Sequence, residues 1–228
     1  MMLRHTVLLA AAFSLAACDD DEPTGITNPA FVRVINASPA TTSLDVVVDG
    51  RLVESSLAFG ESSDICVQVP AGDQTVTLRD DGATIAMVDA TFVTGDRYAL
   101  VLTGTAGADA EAVVVEDRPT PAVPGGFQFV RFVNATGETG QVYYTEPAED
   151  IEDTPTFIVD PGEVTAFAQR PEEQTRTRFY AGTVSPPPGE ALADFTLDAL
   201  PTSRTGTVVV TGDVEGFGAT GFYVARCT

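Results

Sequence analysis

Phe31-Val32-Arg33-Val34-Ile35-Asn36-Ala37-Ser38 returns 98 residues later as Phe129-Val130-Arg131-Phe132-Val133-Asn134-Ala135-Thr136. Two more stretches repeat in the same order. Gln74-Thr75-Val76-Thr77-Leu78 lines up with Gln174-Thr175-Arg176-Thr177-Arg178, and Val101-Leu102-Thr103-Gly104 with Val209-Val210-Thr211-Gly212, at offsets of 100 and 108. Three matches with a slow drift mark an internal duplication with small insertions. The repeated unit is rich in β-branched residues and lacks any long stretch of helical periodicity, so each copy reads as strands.

The first copy alternates apolar and polar residues with period two. Leu44, Val46 and Val48 interleave with Asp45 and Asp49; Ile65, Val67 and Val69 with Cys66 and Gln68; Val76 and Leu78 with Thr77. This places Cys66 on the opposite strand face from Ile65, Val67 and Val69, turned away from its own core. Tyr98 to Thr103 and Ala112 to Val115 are further β-rich runs. Asp49-Gly50 and Asp81-Gly82 sit between such runs, where a two-residue hairpin turn needs positive φ. Many short strands with regular turn signals give an all-β class: two tandem immunoglobulin-like or transthyretin-like antiparallel β-sandwich modules. The first spans 31–118 and the second 127–228. Pro119-Thr120-Pro121-Ala122-Val123-Pro124-Gly125-Gly126 separates them as a semi-stiff linker over 119–126, because prolines cannot donate to a central ladder.

The start of the chain carries a different signal. Arg4 and His5 precede an apolar stretch from Thr6 to Ala17 that is too short to anchor in a bilayer. It ends in Leu15-Ala16-Ala17-Cys18, which resembles a bacterial lipobox. The expectation is a signal peptide over 1–17, cleaved on export, with lipid (palmitate among its acyl chains) on Cys18. Residues 18–30 would then form an acidic tether on the cell envelope. Asp19 after the cysteine resembles an inner-membrane retention signal. The periplasmic face of the outer membrane, the cell surface and the inner membrane all stay open.

The opening run Phe31 to Pro39, followed by Leu44-Asp45-Val46-Val47-Val48-Asp49-Gly50, resembles the bacterial domain of unknown function 4397 (DUF4397). Val69-Pro70-Ala71-Gly72 and Gly95-Asp96-Arg97-Tyr98-Ala99-Leu100-Val101 share that resemblance. It is weaker over 127–228, where Pro171-Glu172-Glu173 replaces the Pro-Ala-Gly turn. The resemblance implies exported, often lipid-anchored β-sandwich modules in tandem, and no established activity.

Chemistry is bounded by what is missing. The Lys+Arg total of 12 is all arginine and the one histidine is His5. Removing the leader takes Arg4 with it, leaving 11 basic against 33 acidic residues, a formal charge of −22. Without histidine or lysine, Ser-His, Cys-His and Ser-Lys nucleophile schemes are closed to the mature chain, as are the usual zinc sites. Such acidity repels phosphate backbones, which excludes nucleic acid as a partner. Only a carboxylate pair, as in a glycan hydrolase, survives on inventory. No catalytic residue, cofactor or metal site is assigned. Glu146, Glu149, Asp150, Glu152 and Asp153, and Asp80-Asp81-Gly82, lack the spacing of a calcium loop and read as solvated loops.

Three features remain. Cys66 and Cys227 form an even pair after Cys18 is lipidated, and both a bridge between modules and two separate thiols stay open. Asn36-Ala37-Ser38 and Asn134-Ala135-Thr136 match the glycosylation pattern, but their equivalent places point to turns in which Asn bonds backbone two residues on. Adjacent strand residues point to opposite faces, so one of Tyr143 and Tyr144 must lie outside. It is either a ligand or sugar contact or a cross-strand packing partner. The expected role is a non-catalytic binding or adhesion module of the envelope, with an envelope protein or a glycan as partner. A structural spacer and a carboxylate-dependent hydrolase are the alternatives.

Overall fold

The computed structural model describes residues 26–104, 110–117, 124–136, 141–145, 157–171, 176–182, 193–196, 205–211 and 220–225. All the regular structure among them is strand. In chain order these are β1 (Ala30–Asn36), β2 (Leu44–Val48), β3 (Arg51–Leu57), β4 (Val67–Val69), β5 (Gly72–Asp80), β6 (Ala83–Phe92), β7 (Arg97–Thr103) and β8 (Glu111–Glu116). Then come β9 (Phe127–Ala135), β10 (Gln141–Thr145), β11 (Phe157–Val159), β12 (Ala168–Pro171), β13 (Arg176–Gly182), β14 (Ala193–Thr196), β15 (Thr205–Thr211) and β16 (Thr220–Ala225).

They build four sheets, ordered β4-β1-β7-β8, β3-β2-β5-β6, β12-β9-β15-β16 and β11-β10-β13-β14. Adding eight to each strand of the first two sheets yields the last two, so the sequence duplication is a duplication of topology. The pairings are antiparallel except β1 with β7 and β9 with β15, which run parallel. These departures from the expected antiparallel sandwich arise because β1 and β7 are separated by a full circuit through the other sheet and arrive pointing the same way. Sheet membership also departs from the immunoglobulin pattern, in which the first, second, fourth and fifth strands share a sheet. Here the first strand joins the fourth, seventh and eighth.

Asp49 and Gly50 have φ of 46° and 84°, Asp81 and Gly82 of 47° and 80°, the left-handed pair expected of the two hairpins. The first core lies between its sheets: Val32, Val34, Leu44, Val46, Val48, Val69, Val76, Leu78, Tyr98, Leu100 and Leu102 are all buried there. Val67 and Val69 join it as expected, but Ile65 is 73% exposed. The strand begins only at Val67, and residues before it follow a bend rather than the pleat.

Tyr98 to Thr103 has no alternation because both faces of β7 are covered. Tyr98, Leu100 and Leu102 point into the first core, while Ala99 and Val101 join a second cluster with Ile35, Ala37, Val133, Ala135, Val209 and Val224. That cluster contains residues of both halves, so the sheet β4-β1-β7-β8 packs by its outer face against β12-β9-β15-β16. Three alanines at the contact keep the two backbones close.

Equivalent positions meet across this seam. Arg33 is in register with Ala99 and Arg131 with Thr207, making Ala99 and Thr207 counterparts. Val115 and Val224, opposite these in register, are therefore counterparts as well, and both lie at the seam. The two sheets run in opposite order: β7 lies by β9. Thr211 at the end of β15 donates its hydroxyl to the Ala37 carbonyl, beyond β1. Glu111 of β8 reaches to 3.4 Å from where a Cβ on Gly162 would sit, in the approach to β12. This self-complementary pairing is the geometry of an isologous interface, here within one chain.

Candidate binding face

Two polar devices hold the halves in shape. In the first, Asn36 donates its amide nitrogen to the Leu57 carbonyl at 3.0 Å and accepts the Ser38 N–H at 3.2 Å. Asn134 does the same with the Val159 carbonyl at 3.0 Å and the Thr136 N–H at 3.2 Å. The expected bond to backbone two residues on is present in both copies. Each Asn also ties the end of the first strand in one sheet to a strand of the other. Both are 0% exposed, which closes them to glycan attachment.

In the second, Arg131 and Asp117 form an ion pair at 2.9 Å with both side chains 3% exposed. Arg131 donates Nε to Thr207 Oγ1 at 2.9 Å and Nη1 to the Glu116 carbonyl at 3.3 Å, and its guanidinium lies 4.7 Å from the centre of the Phe167 ring. A guanidinium suits this place because its planar fork serves several acceptors at once. Asp117 belongs to the first half and Arg131 to the second, so this pair crosses the seam. Arg33, the counterpart of Arg131, donates Nη1 to the Ser63 carbonyl. Desolvation lowers its pKa from the ordinary value, opposed by Asp117 and Asp64. No signal in the sequence alone distinguished these two arginines from surface charges.

The seam covers one face of each inner sheet and leaves the faces of the other two sheets turned outward. In β3-β2-β5-β6 the outward row contains Leu52 and Met87, 56% and 63% exposed, with Val47 and Thr77 in register between them. Beside it a shallow depression is lined by Asp49, Asp73, Thr75, Asp89 and Thr91. Its carboxylates are committed to local bonds: Asp89 accepts the Thr75 hydroxyl at 2.8 Å, Asp73 the Thr91 hydroxyl at 2.6 Å and Asp49 the Thr75 N–H at 3.0 Å. A second depression, lined by Glu54, Ser55, Ser56, Glu61 and Asp64, is equally polar and open. Among the described residues no three His, Cys, Asp or Glu side chains are placed to hold a metal ion.

In β11-β10-β13-β14, register separates the two tyrosines. Leu44 pairs with Leu57 and Val142 with Val159, so Leu44 and Val142 are counterparts, each beside the carbonyl that its Asn grips. By backbone register Tyr144 is then the counterpart of Val46 and Tyr143 the counterpart of Asp45. Tyr143 is flanked in register by Ile158 and Tyr180, and Ile158 is 45% exposed. The same register corrects the repeat. Val46 pairs with Leu78 and Tyr144 with Phe179, an offset of 101 rather than 100.

Cys66 is half-buried just before β4 and is disulfide-bonded. Cys18, Cys227 and the acidic stretch from Glu146 to Asp153 lie outside the described residues.

The family model for the domain of unknown function DUF4397 matches residues 30–145. The chain belongs to the DUF4397 family. The match runs from β1 past the Pro/Gly stretch to the end of β10. No curated protein matches the chain. Among solved structures, CBMbc, a family CBM26 module of Eubacterium rectale Amy13K crystallised with maltoheptaose, is 10% identical over 86% of this chain and 97% of its own, with a TM-score of 0.29. A structure described as alpha-glucan binding by a streptococcal virulence factor is 12% identical over 81% and 93%, with a TM-score of 0.25. Overlays this loose carry no argument about a ligand.

Proposed function

We propose that this DUF4397 protein is an exported, lipid-anchored, non-catalytic binding module of the cell envelope. Its ligand would meet the outward face of β11-β10-β13-β14 around Tyr143. The observation that carries this is the register of Tyr143 between Tyr180 and the exposed Ile158. An aromatic ring with an apolar neighbour on a pleated face suits the flat, partly apolar face of a sugar or an envelope protein's side chain. Of the two sandwich classes expected, we take each half as transthyretin-like, because the immunoglobulin class distributes its strands differently. Leu15-Ala16-Ala17-Cys18 supports lipid on Cys18, the residues between it and β1 would be the tether, and the prolines of 119–126 support a linker there.

The spacer reading keeps one observation of its own, the seam, at which the two inner sheets pack together. One experiment separates the readings. Wild-type protein and Tyr143→Ala are incubated with isolated envelope polysaccharide and envelope membranes, and the sedimented fraction is measured. Binding predicts that the wild type co-sediments and that the variant loses about tenfold in affinity, on the order of 1.4 kcal/mol, with an unchanged circular dichroism spectrum. Absence of co-sedimentation, or equal retention of both proteins, overturns the binding face. Labelling with an alkyne fatty acid, present in wild type and lost in Cys18→Ser, tests the anchor.

A further inference from the structure

We propose that the disulfide on Cys66 is made with Cys227 and clamps the seam at the edge opposite the Arg131–Asp117 pair. Cys66 is bonded, and the sequence offers only Cys18 and Cys227 as partners within the chain. The geometry selects between them. Because the inner sheets pack in opposite order, with β7 by β9 and β15 reaching the end of β1, the remaining edge strands β4 and β16 share one side. Cys66 directly precedes Val67, which pairs with Val32 on β1. Cys66 lies one residue before β4 and Cys227 two residues beyond β16, the two edge strands on this side.

Forming the bond removes two thiol protons and two electrons. A dithiol oxidase of the oxidising compartment accepts them by thiol–disulfide exchange, and its own disulfide is reduced. The proposal rests on the export reading for its oxidant. It also leaves the Cys18 thiol available for acylation.

The test uses full-length protein solubilised from the envelope, alkylated without reductant, digested and mapped by mass spectrometry. The expected product is a linked peptide pair containing Cys66 and Cys227. A link from Cys66 to Cys18, a link to a second chain, or alkylated Cys66 overturns the assignment. In a parallel arm, reduced protein is reoxidised with glutathione disulfide. The same link forming there supports the pairing even if export fails, and its absence counts against the geometry itself. Melting closes the argument: Cys66→Ser, Cys227→Ser and the double variant should lose the same number of degrees. A double variant that melts well below either single variant would refute the bond.

Discussion

Replacing Asp117 with Asn takes the paired carboxylate from a charged, buried Arg131, and the structure permits a magnitude. Both side chains are 3% exposed, so solvent cannot substitute for the lost carboxylate. Removing one partner of a buried pair costs about 3–5 kcal/mol, because the residual charge stays desolvated. Here the Thr207 hydroxyl and the Glu116 carbonyl still accept from Arg131, which argues for the lower end, about 3 kcal/mol. For a unit of this length each kcal/mol is worth roughly 2–4 °C in Tm, so a fall of about 6–12 °C is expected. The chain has no tryptophan, so far-ultraviolet circular dichroism against urea is the assay, with Arg131→Met and the double variant completing a cycle. The double variant should recover part of the loss, since it removes the buried charge left without its carboxylate. A loss below about 1 kcal/mol for Asp117→Asn, in the range of exposed pairs, or a zero coupling energy, would refute the claim that this pair is dry and crosses the seam.

Asn36→Ala and Asn134→Ala each orphan buried backbone groups and should cost about 1–3 kcal/mol apiece, read from urea midpoints at unchanged m. Asn36→Asp should rescue little, because a carboxylate cannot donate to the Leu57 carbonyl. Ala99→Leu forces extra volume into the seam and should cost about 1–3 kcal/mol. The equally conservative exposed change Met87→Leu should shift Tm little. Gly82→Val asks a β-branched residue to hold φ of 80° and should lose about 1–2 kcal/mol through the hairpin, seen as a lower Tm.

The sequence carried the architecture through two local codes. Period-two alternation marks strands with one covered face, as at Leu44-Asp45-Val46, and Asp-Gly pairs mark tight hairpins. The duplication was readable because Asn36 and Asn134 each serve a bond network that tolerates few substitutes. What did not show was the seam. A strand covered on both faces, such as β7, loses its alternation, and Ala37 or Ala99 looks unremarkable until a second backbone lies against it. Arg131 and Asp117 were invisible for the same reason, since a buried ion pair has the spelling of two surface charges. Tyr143 was legible only as one of two neighbours. The cross-strand register adds that Tyr143 stands level with Ile158 and Tyr180. Ile65 shows the opposite failure, a strand pattern that starts two residues before the strand does.

The first strand has a mechanical consequence. β1 is interior to its sheet, bonded to β4 through three register pairs and to β7 through six. A tug on the polypeptide ahead of Ala30 therefore loads both ladders along their length, in shear, rather than peeling bonds one by one. An anchor attached at that end would resist drag far better than one attached to an edge strand such as β16.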